Sequence, residues 1–547
     1  MPERNVMLRV GQIKLPYRTG DDQVFGHTIN KLHIQEKDVL NWRIFKKSID
    51  ARKDDIMAVY TVDLELRKEA SFLKRNRNKN IRQIEREDYH FPDSGTKKLD
   101  KPIIIVGTGP AGLFCGLMLS RYGYKPILLE RGLDVDARQK SVQEFWEKGV
   151  FDPESNVQFG EGGAGTFSDG KLNTLVKDPY GRHRKVLELF TEFGADPSIT
   201  YENKPHIGTD VLCHIVKAMR EEIIQLGGQV RFSSKMTDVR IENGSVRAVC
   251  VNNSEWLDCE ALVIAVGHSA RDTFTMLKGH HLPMSKKPFA IGVRIEHPQR
   301  MINQSQYGLE EDDILGSAAY KLTHTCENGR GVYTFCMCPG GYVVNAASEY
   351  EGTVVNGMSY HGRDSQNANS ALIVTVTPED FPSDDVLAGV EFQRIWERKA
   401  FEIGKGKVPV QLFKDFCKHQ ISTEFGDIKP VHKGDVCFAD LHECLPSYVC
   451  ESLEEGIHVF GRKIKGYDRE DAILSGVETR TSSPIRMERN ALFESEISGI
   501  YPCGEGAGYA GGITSAAMDG LRIAEALRSI YKPVCDGIEF TGGKRHV

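Results

Sequence analysis

The chain has 547 residues, 40% hydrophobic and 27% charged, with 70 Lys and Arg against 76 Asp and Glu. That balance excludes fibrous, collagenous and disordered classes and argues against a whole-molecule electrostatic nucleic-acid binder. At roughly 150 residues per domain, the length corresponds to about three or four domains.

The opening stretch, MPERNVMLRVGQ, has no apolar signal-peptide core, and no run of about 18 apolar residues follows. A cytoplasmic protein with no membrane contact is expected. The 13 cysteines are scattered and form neither CxxC nor a zinc-ligand spacing, so no disulfide framework and no metal site is predicted. The closest pair is Cys336-Met-Cys338.

Residues 1–95 read as a small basic α/β domain. The first 100 residues carry +5, whereas the remaining 447 carry −11. Val6–Leu15 reads as a strand, His27–Trp42 as an amphipathic helix, and Arg43–Ala51 and Ile56–Leu66 as further strands. The basic stretch Lys74–Lys79 is either a solvated face or a patch for an RNA or protein partner. Asp93–Lys97 reads as a linker.

From Lys101 the pattern becomes strand, turn, helix, strand. Ile103–Val106 is a continuous apolar run, as a strand buried on both faces requires. It leads into Gly107-Thr-Gly109-Pro110-Ala111-Gly112, then a helix over Pro110–Tyr122 and a strand over Pro126–Leu129 ending at Glu130. In this context GxGxxG is a dinucleotide fingerprint. Gly107 makes the tight turn, Gly109 lets a pyrophosphate approach, and Gly112 lets helix and strand pack closely. The helix N-terminus supplies free N–H donors. Glu130 is placed to accept from ribose hydroxyls; Arg131 suits a 2′-phosphate, but Glu130 argues for a plain ribose.

Further helices are predicted over Asp134–Lys148, Arg184–Gly194, Asp210–Gly227, Asp385–Gly404 and Ser515–Ile530. His206 and Asp210 read as organisers of a helix start, with Thr209 or Asp210 as its cap. A hairpin over Asp238–Val251 precedes Ala261–Gly267, an apolar strand ending in glycine. Between about 285 and 380, short β-like runs such as Phe289–Glu296, Gly331–Met337 and Ser370–Val376 indicate a mixed-sheet second domain.

Two more Gly-rich segments choose the cofactor. One is Phe159–Lys171, containing Gly163, Gly165, Thr166 and Lys171; the other is Gly499–Ile513, containing Gly504, Glu505, Gly511, Gly512 and Ile513. An apolar strand running into Gly-Glu and then a helix resembles the second FAD fingerprint of glutathione-reductase-like flavoproteins. That resemblance implies a ribityl contact for Glu505 and places Gly511, Gly512 and Ile513 under the flavin ring. Lys171 is a candidate for the phosphates or the flavin N1–C2=O edge. Gly267 fits the strand end at which the chain leaves the FAD domain.

Phe159–Lys171, Lys204–Asp210, Cys336–Gly341, Asn356–Tyr360, Ser365–Ala371, Thr479–Ile485 and Gly504–Gly520 together resemble a bacterial family of uncharacterised FAD-dependent dehydrogenases. The resemblance spans nearly the whole chain and implies non-covalent FAD, but no substrate. No second GxGxxG follows a strand in 280–490, so NAD(P)H, if it is the reductant, binds transiently without its own Rossmann domain. The expected fold is α/β: a discontinuous FAD-binding Rossmann-like three-layer domain (96–270 and 490–535), an inserted mixed α+β substrate or cap domain (271–489), the N-terminal α/β domain and a tail (536–547). These account for the length with three domains.

Candidate catalytic groups are His268, Arg271, Tyr360, Arg363 and Cys338, with Cys336 beside the last. Arg363 or Arg480 can clamp an anionic substrate. The expected function is hydride transfer between a small-molecule substrate and the flavin. Alternatives are a flavin-dependent RNA-modifying enzyme using the basic N-terminal domain, and a non-catalytic flavoprotein.

Overall fold

The computed structural model describes residues 6–52, 55–85 and 89–535. The expected tail, 536–547, lies outside the described residues.

The strands Val6–Pro16, Val39–Asp50, Met57–Leu66 and Ile81–Glu85 form one antiparallel sheet, with Met57–Leu66 and Val6–Pro16 in the centre. Helix Val24–Leu32 covers it, burying Val24, Thr28 and Leu32. The helix predicted over His27–Trp42 is therefore shorter and earlier. His33 takes the left-handed conformation (φ +52°) and closes it. From Val39 the chain is already strand, because Val39, Trp42 and Ile44 pack as cross-strand partners of Leu66, Leu64 and Val62.

The second unit is built on a parallel sheet of five strands, in the order Ile500–Pro502, Ala261–Ile264, Ile103–Val106, Ile127–Leu129, Gln229–Arg231. Alternate residues of Ile103–Val106 feed opposite cores. Ile103 and Ile105 pack with the helices Pro110–Arg121, Thr209–Gln225 and Ile513–Ile530. Ile104 and Val106 face a layer that includes the antiparallel strands Met236–Glu242 and Ser245–Val251 and helix Arg271–Gly279. The result is the three-layer Rossmann-like arrangement expected, with its edge strand supplied from the far end of the chain.

The third unit is a seven-stranded sheet in the order Thr323–Thr325, Gly331–Cys338, Asn367–Val376, Phe289–Pro298, Ile473–Glu478, Val408–Leu412, Val436–Phe438. Its pairs are antiparallel except the last. Helices Ala388–Gly404 and Ser447–Gly461 pack on it around Phe392, Ala400, Leu453 and Phe460. Helices Arg271–Gly279, Gln299–Tyr307 and Ser447–Gly461 were not predicted.

The linker around Gly95 is pinned rather than free. Gly95 donates its N–H to the Arg528 carbonyl at 2.7 Å, and a Cβ there would lie 2.2 Å from the Ile530 carbonyl oxygen. Among the described residues no helix is long and apolar enough to cross a membrane.

Candidate functional site

One elongated cavity runs from the carboxyl ends of the parallel strands to the seven-stranded sheet. Its position outside strand ends is where open α/β sheets place ligands. At one end lie Glu130, Arg131, Ser234, Lys235 and Met236; at the other, Phe335, Cys336, Asn356, Glu478, Arg480 and Glu505.

The fingerprint turn forms the middle. Gly107 stands at φ +102°, where a Cβ would meet the Ala265 carbonyl oxygen at 2.3 Å. At Gly112 a Cβ would lie 1.9 Å from the Gly107 carbonyl oxygen. Gly112 thus closes the turn without lining the cavity. Gly109 does line it, and a Cβ there has space, with Gly163 Cα at 3.8 Å. Pro110 opens the helix, and Gly109 at its N-cap offers no side chain to the free N–H groups.

Glu130 is 5% exposed, and both oxygens are engaged. One accepts from the Thr108 N–H at 3.0 Å and hydroxyl at 2.8 Å; the other accepts from the N–H groups of Gly132 at 3.0 Å and Gly160 at 3.1 Å. Arg131 is ion-paired with Glu154 at 2.7 Å and Asp272 at 2.9 Å, over the Phe159 ring.

The Gly-rich loop at 156–163 is held by Arg138, which sequence reasoning missed. Its guanidinium is fully buried and donates to the carbonyls of Asn156, Val157, Gly160, Glu161 and Gly163 at 2.6–3.3 Å. Burial pulls its pKa down to about 10, so it stays charged. Gly163 and Gly165 line the cavity, whereas Thr166 is buried behind them and bonds the Glu161 carbonyl. Lys171 reaches the wall with its ammonium 3.7 Å from Asp169.

At the C-terminal segment, Glu505, Gly511, Gly512 and Ile513 line the cavity. Added Cβ atoms at Gly511 and Gly512 would meet nothing within 4 Å, and the same holds at Gly267, which also lines the site. Gly504 sits one layer behind, its N–H held by Asp519 at 2.8 Å. Helix Ile513–Ile530 begins with no side-chain cap. Burial raises the Glu505 carboxyl to about 7.

The catalytic candidates separate. His268 lines the cavity, its Nδ1 3.0 Å from the Ser269 hydroxyl oxygen, and burial with Arg480 and Arg271 nearby lowers it to about 3, so the ring is neutral. Arg271 is 1% exposed and spent on Glu397 at 2.7 Å, Glu349 at 2.5 Å and Gln393. Arg480 lines the cavity while sharing Glu397 at 2.8 Å. Tyr360 packs edge-on against Tyr342, away from the cavity lining. Arg363 grips buried Asp169, also from behind the wall. Cys338 is fully buried. Neither Thr209 nor Asp210 caps its helix: Thr209 donates to the Ser168 carbonyl, and Asp210 accepts the His361 N–H.

Glu478 and Arg294 had no signal in the sequence. They form a buried pair at 2.6 Å at the Cys336–Asn356 end of the cavity, and burial outweighs the arginine to raise Glu478 to about 7.

A family model described as "FAD-dependent protein, C-terminal domain-like" matches residues 288–481, and a domain of unknown function matches residues 7–65. A protein of Clostridium beijerinckii, described as uncharacterized, is 52% identical over 501 residues, covering 90% of this chain and 93% of that protein. Among solved structures, a variant of the E. coli quinol fumarate reductase subunit FrdA is 13% identical, covering 79% of this chain and 70% of its own with a TM-score of 0.34. Glycine oxidase from Bacillus cereus is 13% identical, with coverage of 78% and 95% and a TM-score of 0.31. The glycerol-3-phosphate dehydrogenase from Bacillus halodurans complexed with FAD is 11% identical, with coverage of 78% and 64% and a TM-score of 0.34.

The lining of the cavity suits FAD. Two helix N-termini without side-chain caps open on it, and glycines 109, 267, 511 and 512 leave unfilled the volume their side chains would take. Free N–H donors beside bare backbone suit a pyrophosphate and a flat ring.

Proposed function

The chain belongs to a bacterial family of FAD-dependent proteins, and on that premise we propose that it is an oxidoreductase whose small-molecule substrate meets the flavin at the Cys336–Glu478 end of the cavity. The observation that carries this reading is the alignment of both uncapped helix N-termini on a single cavity that ends at buried ionisable groups of the second sheet.

In this reading the N–H groups that follow Gly109 hold the pyrophosphate, with Gly163 and Gly165 opposite. Glu130 shapes the turn around the adenosine ribose. Glu505 holds a ribityl hydroxyl, and the N-terminus of helix Ile513–Ile530 favours negative charge on the ring. FAD supplies reversible two-electron chemistry there. The protein supplies orientation, exclusion of water and proton control. Arg480, fixed by Glu397, Ser269 and Ser348, presents a charge that orients an anionic substrate. Neutral His268 can accept or donate one hydrogen bond but holds no charge. Glu478 and Glu505, raised to about 7, can hold a proton at a carboxyl oxygen near neutral pH.

The test is direct. Purified protein is examined for flavin absorbance, then mixed anaerobically with NADH, NADPH and a metabolite panel. Fast bleaching of bound FAD by any of these supports an oxidoreductase. Colourless protein that cannot be reconstituted with FAD would refute it, and FAD that no donor reduces would leave a non-catalytic flavoprotein.

A further inference from the structure

Cys336 and Cys338 differ from the other thiols of the chain. In the strand Gly331–Cys338, Phe335 pairs with Ala371 and Cys338 with Asn369, so one residue is extra on the cysteine side. That bulge puts Cys336 at φ +43°, a conformation rare for a side-chain-bearing residue. It brings Cys336 to the cavity wall beside Asn356, Glu478 and Glu505. Cys338 lies fully buried behind it, its sulfur 3.3 Å from the Cys336 carbonyl oxygen.

A buried cation serves the pair. Arg294 Nη1 lies 3.8 Å from Cys338 Sγ and 3.3 Å from the Cys336 carbonyl oxygen, and it is anchored by Glu478 and Asn369. The Cys338 thiol, with help from Arg294 and Lys171, lowers Cys336 to about 6 against the opposing effect of burial, while Cys338 is pushed up. Burial pushes up Cys115, Cys213, Cys259, Cys444 and Cys503. A thiol lowered toward neutrality at a cavity wall, with a second thiol buried directly behind it, is the arrangement a reactive dithiol needs.

Building on the flavoprotein reading above, we propose that Cys336 and Cys338 are a redox-active dithiol that exchanges two electrons with FAD and passes them to a disulfide substrate. The exchange balances: one thiolate, one thiol and oxidised FAD give one disulfide and singly protonated reduced FAD. The Cys338 S–H bond breaks, the S–S bond forms, and two electrons and that proton leave the sulfurs. In the direction of substrate reduction, reduced FAD opens the protein disulfide. The Cys336 thiolate then attacks the substrate disulfide and expels one substrate thiolate. Cys338 next attacks the Cys336 sulfur, expels the second substrate thiolate and passes its proton to it, which restores the protein disulfide. Cys336 is the attacking sulfur because it alone of the two lines the cavity.

The test uses FAD-loaded wild-type protein. Thiols are alkylated with iodoacetamide across pH 5–9, before and after anaerobic treatment with glutathione disulfide, and the peptide carrying both cysteines is weighed. The expected result is alkylation of Cys336 half-maximal near pH 6, and an unalkylated peptide two hydrogens lighter after treatment. Cys338→Ser should instead trap a glutathione adduct on Cys336. Alkylation of Cys336 only near pH 9, or two free thiols after treatment, would overturn the dithiol while normal flavin absorbance left the FAD reading standing. Protein that cannot be loaded with FAD would overturn both.

Discussion

The carboxylate of Glu130 receives both the N–H and the hydroxyl of Thr108, at 3.0 and 2.8 Å, from inside the fingerprint turn. With Gly132 and Gly160 on the other oxygen, one side chain ties together the first turn, the end of the second strand and the Gly-rich loop. Glu130→Ala strands three buried N–H groups, at a cost of roughly 3 kcal/mol or more. The urea midpoint should fall and FAD retention should be lost. An unchanged midpoint would show that the loops are set without Glu130.

The two glycines three residues apart should fail in different ways. Gly109→Val has room at its Cβ but projects into the cavity, so a folded, colourless protein is expected. Gly112→Ala drives a Cβ toward the Gly107 carbonyl at 1.9 Å, so insoluble or much less stable protein is expected. Circular dichroism and flavin absorbance together separate the outcomes.

Glu397 joins Arg271 and Arg480 in one buried cluster, and Thr479 donates to it at 2.7 Å. Burial would raise its pKa, but the two arginines outweigh burial and hold it well below the usual range. Because the folded value is depressed, its stabilisation is present above the unfolded value near 4.5 and fades as pH falls below it. Glu397→Gln should cost about 3–5 kcal/mol at pH 7. The gap to wild type should narrow in acid, as melting curves at several pH values would reveal.

Glu505 has the opposite sign. Its folded pKa, about 7, lies above the unfolded value, so its contribution is full below about pH 4.5 and is lost as pH rises through 7. FAD-free wild type should therefore lose more stability between pH 5 and 8 than Glu505→Gln does. Parallel melting profiles would contradict the raised value.

The parts of this architecture written in local chemistry were legible. Ile103–Val106, the three fingerprint glycines and Glu130 announce a nucleotide fold through their strand–turn–helix–strand context, and the Gly504–Ile513 stretch marks the second half through its resemblance to a flavoprotein fingerprint. The helix predicted over His27–Trp42 failed because strand pairing with Met57–Leu66 overrode an amphipathic pattern. Arg138, Arg294 and Glu478 were invisible because isolated charged residues read as surface, and only tertiary contacts reveal them as buried. The Cys336 bulge was missed for a related reason. Regular alternation would place both cysteines on one face, and the extra residue that separates them appears only in the pairing with Asn367–Val376.

Strand Ile500–Pro502 pairs with Ala261–Ile264, which in turn pairs with Ile103–Val106, so strands two places apart in the sheet are separated by about 400 residues of sequence. During synthesis, the first half of the nucleotide fold leaves the ribosome long before the strand and helix that complete its cavity. Until they arrive, Ala261–Ile264 presents an open sheet edge and the fingerprint helix lacks the cover of Ile513–Ile530. Translation that stops early would yield a chain with a dinucleotide turn but no closed cofactor site, a ready substrate for chaperones and proteases. Loading with the cofactor would then be a late step in the life of the chain, tied to helix Ile513–Ile530.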